Sequence, residues 1–155
     1  MNDLQNIRIR FLKEEDAPAA AYIEQNCFSQ PWSEEIYRST LALPFALYAA
    51  AENEEGRLIG ICGVRMIAGE GDISNVALLP QYRGRRISEK MLEFLLKEAE
   101  KRGTEAFTLE VRAGNAPALA LYKHFGFKTE GIRKNFYEKP VEDALILWRR
   151  KGTDD

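Results

Sequence analysis

The feature that most constrains this chain is a change of hydrophobic period after residue 79. The preceding apolar residues form short runs typical of strands, at 45–52, 57–67 and 71–79. From Ile87 to Ala99 they recur at helical spacing, and a short apolar strand at Ala106–Val111 precedes a second helix at Asn115–Phe125. A strand, a crossover helix and a further strand normally pair in parallel. The second half therefore predicts parallel pairing within the sheet.

The remaining segments complete an α/β pattern. A strand at 7–12 and two helices, at 14–26 and starting at Ser33 as N-cap, come first. Two strands at 127–137 and 144–149 close the chain as a hairpin. The predicted fold class is α/β, with a mixed sheet flanked by helices on both faces. With 155 residues and no visible repeat or linker, residues 1–155 are expected to form a single domain.

Charge and cysteine content exclude several classes of function. The net charge is −2, from 22 basic and 24 acidic residues, so no overall field draws the chain to nucleic acid or membrane. Cys27, Cys62 and the single histidine, His124, lack the spacing of metal ligands, so no metal is expected. Both thiols are predicted to be reduced and buried, and His124 to lie on the surface. Without an apolar leader or span in the sequence, the expected location is cytoplasmic.

One loop has the pattern of an anion site. The strand ending at Leu79 and Pro80 is followed by a glycine-containing basic turn and then by a helix start. Such a turn directs backbone N–H groups and the positive end of the helix dipole at one point, which suits a phosphate or pyrophosphate. Taken alone, the same loop favours a solvated turn with a run of charged residues over an anion site. The residues concerned are Arg83, Gly84, Arg85, Arg86, Ile87 and Ser88.

Two segments carry a family resemblance. The loop resembles the coenzyme A motif of the GCN5-related N-acetyltransferases (GNAT), Arg/Gln-x-x-Gly-x-Gly/Ala, with Arg83 at its first position. The run from Leu109 to Phe127, with LEVR, an Asn, ALY and GF in order, resembles the family's second signature. With Pro31-Trp32-Ser33 and the tail at 132–144, the chain is similar to the bacterial ribosomal-protein-alanine N-acetyltransferases of that family. The resemblance spans roughly residues 7–149.

The resemblance implies acetyl transfer from acetyl-CoA to an amine, on a sheet whose two central parallel strands splay to admit the pantetheine arm. The cosubstrate would be held by the backbone of Val76 and Leu78, by residues 83–88, and by Asn115, which also reads as an N-cap. One departure stands out. Arg86 and Ser88 occupy positions where the family has small residues, and glycine there allows close backbone approach.

Acyl transfer to an amine needs a base for the nitrogen and a proton for the leaving thiolate. Glu110, at the end of the LEVR strand, is the predicted base, and Tyr122, in ALY, the predicted acid. Read without the resemblance, Glu110 is a surface carboxylate paired with Arg112, and Tyr122 is a half-buried aromatic packed on the sheet.

The acceptor is expected in a groove between the helix near Trp32 and the final hairpin, with Tyr137 as one wall. Trp32 by itself reads as a core residue. The acceptor implied by the resemblance is a protein N-terminus, on a ribosomal protein. Two alternatives stay open. One is an enzyme acting on a small amine (a polyamine, an aminoglycoside or a free amino acid) in a closed acidic pocket. The other is a degenerate domain that binds a partner without coenzyme A.

Overall fold

The computed structural model describes residues 6–74, 76–84 and 86–150. The strands are β1 (Arg8–Phe11), β2 (Ala46–Glu52), β3 (Leu58–Ile67), β4 (Glu70–Ile73), β5 (Ala77–Leu78), β6 (Ala106–Arg112), β7 (Lys128–Glu138) and β8 (Val141–Arg150). The α-helices are α1 (Ala17–Cys27), α2 (Glu34–Leu41), α3 (Ile87–Lys101) and α4 (Ala116–His124). The strands join in one mixed sheet of order β1-β2-β3-β4-β6-β8-β7, with β5 on β3. The predicted α/β class is confirmed.

Helices cover both faces of this sheet. A side chain at Gly60 of β3 would collide with Met91 of α3, at 2.9 Å, whereas one at Gly63 would collide with the ring of Tyr48, at 2.2 Å. That ring packs against Tyr37 of α2, with centroids 6.0 Å apart. Positions an odd number of residues apart point to opposite faces of a strand. The helices α3 and α2 therefore lie on opposite sides, as predicted.

The helix α3 is held by its apolar stripe. Its buried residues are Ile87, Met91, Leu92, Leu95, Leu96 and Ala99. Each of the larger side chains contributes roughly 1.5–3 kcal/mol by leaving water. The helix ends before Gly103, whose φ of 95° is the left-handed conformation that glycine adopts freely. Among the described residues, no helix has both the length and the apolar character needed to cross a membrane.

The centre of the sheet opens along one seam. The strands β4 and β6 run parallel for three residue pairs, the last of which joins Asp72 to Thr108. Beyond that point the chain that follows β4 remains paired with β3 through β5, where Leu78 pairs with Gly60. The strand β6 instead continues along β8 as far as Arg112. The two halves thus separate toward the carboxyl end of β6, which is the predicted splay.

The segment 71–79, predicted as one strand, is two strands separated by a bulge. Val64 of β3 pairs with Ile73, and Ile61 of β3 pairs with Ala77. The two β3 residues are three positions apart, whereas their partners are four positions apart. One extra residue on one strand bends it and disrupts the ladder locally. The bulge lies where the seam begins to open.

Candidate active site

A cleft of about 740 Å³ lies over the open seam. Its floor contains residues 72–74 from one half of the sheet and 110–112 from the other. One wall is the segment 27–32 between α1 and α2, where Trp32 lies, and the opposite wall is the β7–β8 hairpin, where Tyr137 lies. The structure therefore brings both predicted acceptor residues into the same cleft. The cleft is about half open to solvent, so it is not an enclosed cavity.

Glu110 lies on the floor of this cleft. The strand β6 alternates between half-buried and buried residues, and Glu110 is on the half-buried side with its side chain 33% exposed. Its carboxylate forms an ion pair with Arg133 of β7. Arg112 pairs instead with Glu142, at 3.2 Å. The alternative reading that Glu110 pairs with Arg112 is therefore wrong, because Arg112 is engaged by the hairpin.

Tyr122 reaches the seam from α4. It is 2% exposed, so the expectation of a half-buried ring is wrong, and its ring packs edge-on against Phe127 with centroids 5.8 Å apart. Burial raises the pKa of the Tyr122 phenol above its usual value, while a hydrogen bond with the Val76 backbone acts in the opposite direction. The phenol is therefore protonated at neutral pH, which is the form a proton donor needs.

The backbone of Leu78 faces the seam. The N–H of the next residue, Leu79, donates to the Ile59 carbonyl at 2.9 Å, so the N–H and C=O of Leu78 point away from β3. The Leu78 carbonyl accepts hydrogen bonds from Arg83 Nε, at 3.2 Å, and from the Cys27 thiol, at 3.4 Å. Cys27 is half-exposed and lines the cleft, so the prediction that it is buried is wrong. Cys62 is buried as predicted.

The basic loop leads directly into α3. Gly84 has a φ of 81° and Arg86 a φ of 64°, so both are in the left-handed region. The position where the family has glycine therefore needs a left-handed backbone here as well, which costs a non-glycine residue about 1–2 kcal/mol. Arg86 is exposed, and its Nε pairs with Glu89 at 2.8 Å. Ser88 lies in the first turn of α3, and Arg85 lies outside the described residues.

The start of α4 is fixed from two sides. The side-chain oxygen of Asn115 accepts from the Ala118 N–H at 3.3 Å, which is the predicted N-cap. The Gly114 N–H donates to Glu142 at 2.6 Å, and a side chain at Gly114 would lie 2.7 Å from that carboxylate. The Arg112 guanidinium lies 4.3 Å from the ring centre of Tyr137. These contacts fix the end of β6 relative to the hairpin wall.

The sequence analysis missed Glu24, which is buried at 8% exposure on the wall of the cleft. It accepts from the Trp32 N–H at 2.9 Å and from the Tyr37 hydroxyl at 2.6 Å. Burial, and then the charge of Glu24, raise the pKa of Tyr37. A signal was present, because position 24 continues the buried stripe at 17, 20 and 21 of α1.

Trp32 and two further charged residues complete the cleft. Trp32 is half-buried, with its ring edge-on to Tyr37 at 5.4 Å, so it packs on the core and lines the cleft as well. Arg65 and Asp72 lie directly opposite one another on β3 and β4. Burial, followed by the charge of Glu110, raises the pKa of Asp72, and Arg65 lowers it. The cleft thus carries both signs of charge.

This arrangement defines a class of protein. A mixed sheet that opens beside the N-terminus of a helix, with a carboxylate and a buried phenol at the opening, is the architecture of acetyl-CoA-dependent N-acetyltransferases. Residues 17–127 match the acetyltransferase (GNAT) family. The chain belongs to this family and is an acetyl-CoA-dependent N-acetyltransferase.

Two sequence relatives and one crystal structure show how far the similarity extends. The ribosomal protein bS18-alanine N-acetyltransferase of Escherichia coli K12 is 36% identical over 141 residues, 90% of this chain and 94% of that protein. The N-alpha-acetyltransferase RimI of Mycobacterium tuberculosis H37Rv is 32% identical over 156 residues, 97% of this chain and 96% of that protein. The crystal structure of the Escherichia coli ribosomal-protein-S18-alanine N-acetyltransferase superposes with a TM-score of 0.85 at 34% identity, covering 93% of each chain.

Proposed function

We propose that the acceptor is the N-terminal α-amino group of a ribosomal protein whose first residue is small. The observation that carries this proposal is the partly open cleft over the seam. Glu110 lies on its floor, between the wall formed by residues 27–32 and the wall formed by the β7–β8 hairpin. A peptide needs such a groove because its chain must leave the site on one side. The names of the relatives, which act on the alanine of ribosomal protein bS18, support the same acceptor. The enzyme would then act in the cytoplasm.

Several backbone groups fit the cosubstrate. Acetyl-CoA supplies the acetyl group as a reactive thioester and ends in an extended amide-containing arm. The outward-facing N–H of Leu78, with the adjacent backbone of Val76, suits those amides as an added strand would, whereas the Leu78 carbonyl is engaged by Arg83 and Cys27. The N-terminus of α3, following Arg83–Arg86, suits the pyrophosphate. Asn115, which lines the cleft, would approach the arm from the other half of the sheet.

The proton transfers fall to two residues. An α-amino group has a pKa of about 8, so a modest base suffices, and Glu110 takes its proton directly or through one water. The amine nitrogen then forms its bond to the acetyl carbon as the carbon–sulfur bond breaks. Tyr122, kept protonated by burial, gives its proton to the departing thiolate. An N–H from the opened strand at Val76 or Leu78 polarises the carbonyl oxygen.

The decisive assay compares peptides that start with Ala, Ser, Leu and acetyl-Ala at equal concentration, with spermidine and an aminoglycoside alongside. We expect acetylation of the free Ala and Ser termini, slower reaction at Leu, and none at acetyl-Ala, because a bulky first side chain crowds the thioester. Acetylation of spermidine or the aminoglycoside alone would overturn the peptide proposal. A titration showing no binding of acetyl-CoA would instead favour a degenerate domain.

A further inference from the structure

Glu24 is a buried carboxylate in the cleft that has no ion-pair partner among the described residues. The other cleft carboxylates have cationic neighbours, since Glu110 pairs with Arg133, and Asp72 lies opposite Arg65. Both oxygens of Glu24 accept hydrogen bonds, from Trp32 and Tyr37, and both donors are neutral. Within residues 6–74, 76–84 and 86–150, no Lys, Arg or His nitrogen lies within ion-pair distance of it.

A buried carboxylate normally requires a cation. Neutral donors satisfy the lone pairs but leave the charge poorly solvated, which is why buried acidic groups are usually paired. Each carboxylate oxygen accepts about two hydrogen bonds, so one position remains on each oxygen of Glu24. Because Glu24 lines the cleft, a ligand in the cleft can supply the missing positive charge.

The surroundings of Glu24 also favour a cation. The rings of Trp32, Tyr37 and Tyr48 line the same part of the cleft, with successive centroids 5.4 and 6.0 Å apart. Aromatic faces attract cations, and the Arg65 guanidinium already lies over the Trp32 ring, 5.9 Å from its centre. Glu24 lies about one helical turn from Cys27, whose thiol bonds the seam carbonyl of Leu78 at 3.4 Å. The carboxylate is therefore near the place where the amine must react.

We infer that Glu24 binds the acceptor's ammonium group when the acceptor docks, and so selects a free amine. The inference rests on the proposed function, in which an amine-terminated peptide enters this cleft. Glu24 is a binding residue and not the base, because its oxygens are held by Trp32 and Tyr37, while Glu110 lies on the floor and is partly exposed. Burial of the Glu24 charge lowers the stability of the free enzyme, and in the complex the acceptor's ammonium group would neutralise that charge.

Two variants separate charge from hydrogen bonding. Glu24→Gln keeps the shape and an acceptor for Trp32 but removes the charge, whereas Tyr37→Phe removes one hydrogen bond and keeps the charge. With coenzyme A bound, the affinity of an Ala-starting peptide is compared with that of the same peptide lacking its terminal amino group. We expect the natural enzyme and Tyr37→Phe to favour the amine by about 10- to 100-fold, as for a hydrogen bond to a charged group. Glu24→Gln should favour it less than about 3-fold.

Kinetics provide the second readout. Glu24→Gln should raise KM for the Ala-starting peptide about 10-fold or more and change kcat much less, with the affinity for acetyl-CoA retained. The matched control is Glu52→Gln, a largely buried carboxylate paired with Arg10 outside the cleft, which should change neither quantity. If Tyr37→Phe raises KM as much as Glu24→Gln, the carboxylate only braces the segment near Trp32 and the inference is wrong.

The natural enzyme alone can also overturn the inference. Equal affinity for the amine and desamino peptides means that no anion recognises the ammonium, whether or not Glu24→Gln folds. Acetylation of the Ala-starting peptide with such equal affinities would leave the proposed function intact and remove only the role of Glu24. Failure of the natural enzyme to acetylate any peptide would overturn the proposed function, and the inference with it.

Discussion

Two strand–loop–helix units meet at the seam, and their helix N-termini are built in opposite ways. At α4, the protein's own groups engage the backbone donors, because Asn115 accepts from Ala118 and Glu142 accepts from Gly114. At α3, no described side chain caps the helix, and the residue before it, Arg86, is left-handed. The first four N–H groups of a helix have no partner within it. At the start of α4, backbone N–H groups bond to side chains of the protein, whereas at the start of α3 the described side chains leave the N–H groups for a ligand or solvent.

The difference indicates a division of tasks. The capped unit carries Glu110 and Tyr122, and its contacts through Glu142 hold the end of β6 against the hairpin. The proposed roles of Glu110 and Tyr122 in proton transfer would need fixed geometry, which caps and ion pairs provide. The uncapped unit carries the basic loop, where exposed donors suit a phosphate group. Changes in the α4 unit should therefore affect turnover, and changes in the α3 unit should affect the cosubstrate.

The largest effect is expected at the capped unit, from Glu110→Gln. Turnover should fall by about two to four powers of ten because the amine then keeps its proton, while acetyl-CoA affinity stays the same. Steady-state kinetics and calorimetry measure the two quantities. Glu130→Gln, which breaks an ion pair with Arg150 on the same hairpin, is the control and should retain full rate. If Glu110→Gln retains full turnover under conditions where the chemical step is rate-limiting, Glu110 has a structural role and is not the base.

Tyr122→Phe should lower the rate of the chemical step by about 100-fold or more, since the thiolate then leaves without a proton. Because burial raises the pKa of Tyr122, the natural enzyme should lose this donor only above pH 10, so the phenol adds no titration between pH 6 and 9. Single-turnover rates across that range check both points. The exposed Tyr22 offers a matched control in Tyr22→Phe. An unchanged single-turnover rate would contradict the assignment.

A smaller effect is expected from the cap itself. Asn115→Ala should lower the free energy of unfolding by about 1 kcal/mol, because the Ala118 N–H loses its partner. Turnover should fall with it if the cap positions Tyr122. Ser33→Ala removes a similar cap from α2, where Ser33 accepts from Ile36 at 3.2 Å. Denaturant unfolding should show similar losses for both, and a loss of turnover in both variants alike would break the comparison.

The smallest effect is expected at the uncapped unit, from Arg86→Gly. Relief of the left-handed strain is largely offset by the greater freedom of glycine in the unfolded chain, so the net gain should be under about 1 kcal/mol. Thermal melting measures it, and Gly84→Ala should shift the melting temperature downward. Acetyl-CoA affinity should change less than about 3-fold if the backbone, and not the guanidinium, holds the pyrophosphate. A 10-fold loss would make Arg86 a direct ligand.

The sequence predicted those parts that depend on neighbouring residues. Strand β6, the Asn115 cap and the Ser33 cap follow from local pattern and were found where expected. The bulge between β4 and β5 could not be predicted, because the extra residue is defined by the pairing with β3, and the sequence does not show that pairing. The partner of Glu110 depends on the register of β7, which shifts between Arg133 and Tyr137. Such registers follow from tertiary packing.

Glu24 is a different case, because its signal was present. A charged residue on an otherwise apolar helical stripe is seldom buried without a reason. The sequence does not show that the C-terminal part of this stripe, where Glu24 lies, faces the cleft. The contacts with Trp32 and Tyr37 arise from separate segments brought together by folding. The hydrogen bonds of Glu24, and with them its proposed role, therefore become visible only in three dimensions.

The seam also has a consequence for hydrogen exchange. In a continuous sheet the amide of Leu78 would bond a neighbouring strand, but here it faces the gap between the two halves. Its deuterium uptake should be faster than that of Leu79, whose amide is bonded to β3. A ligand lying along the seam would slow the uptake at Leu78 and leave Leu79 unchanged. The deuterium uptake of this one amide would therefore report whether a ligand occupies the seam, without any need for catalysis.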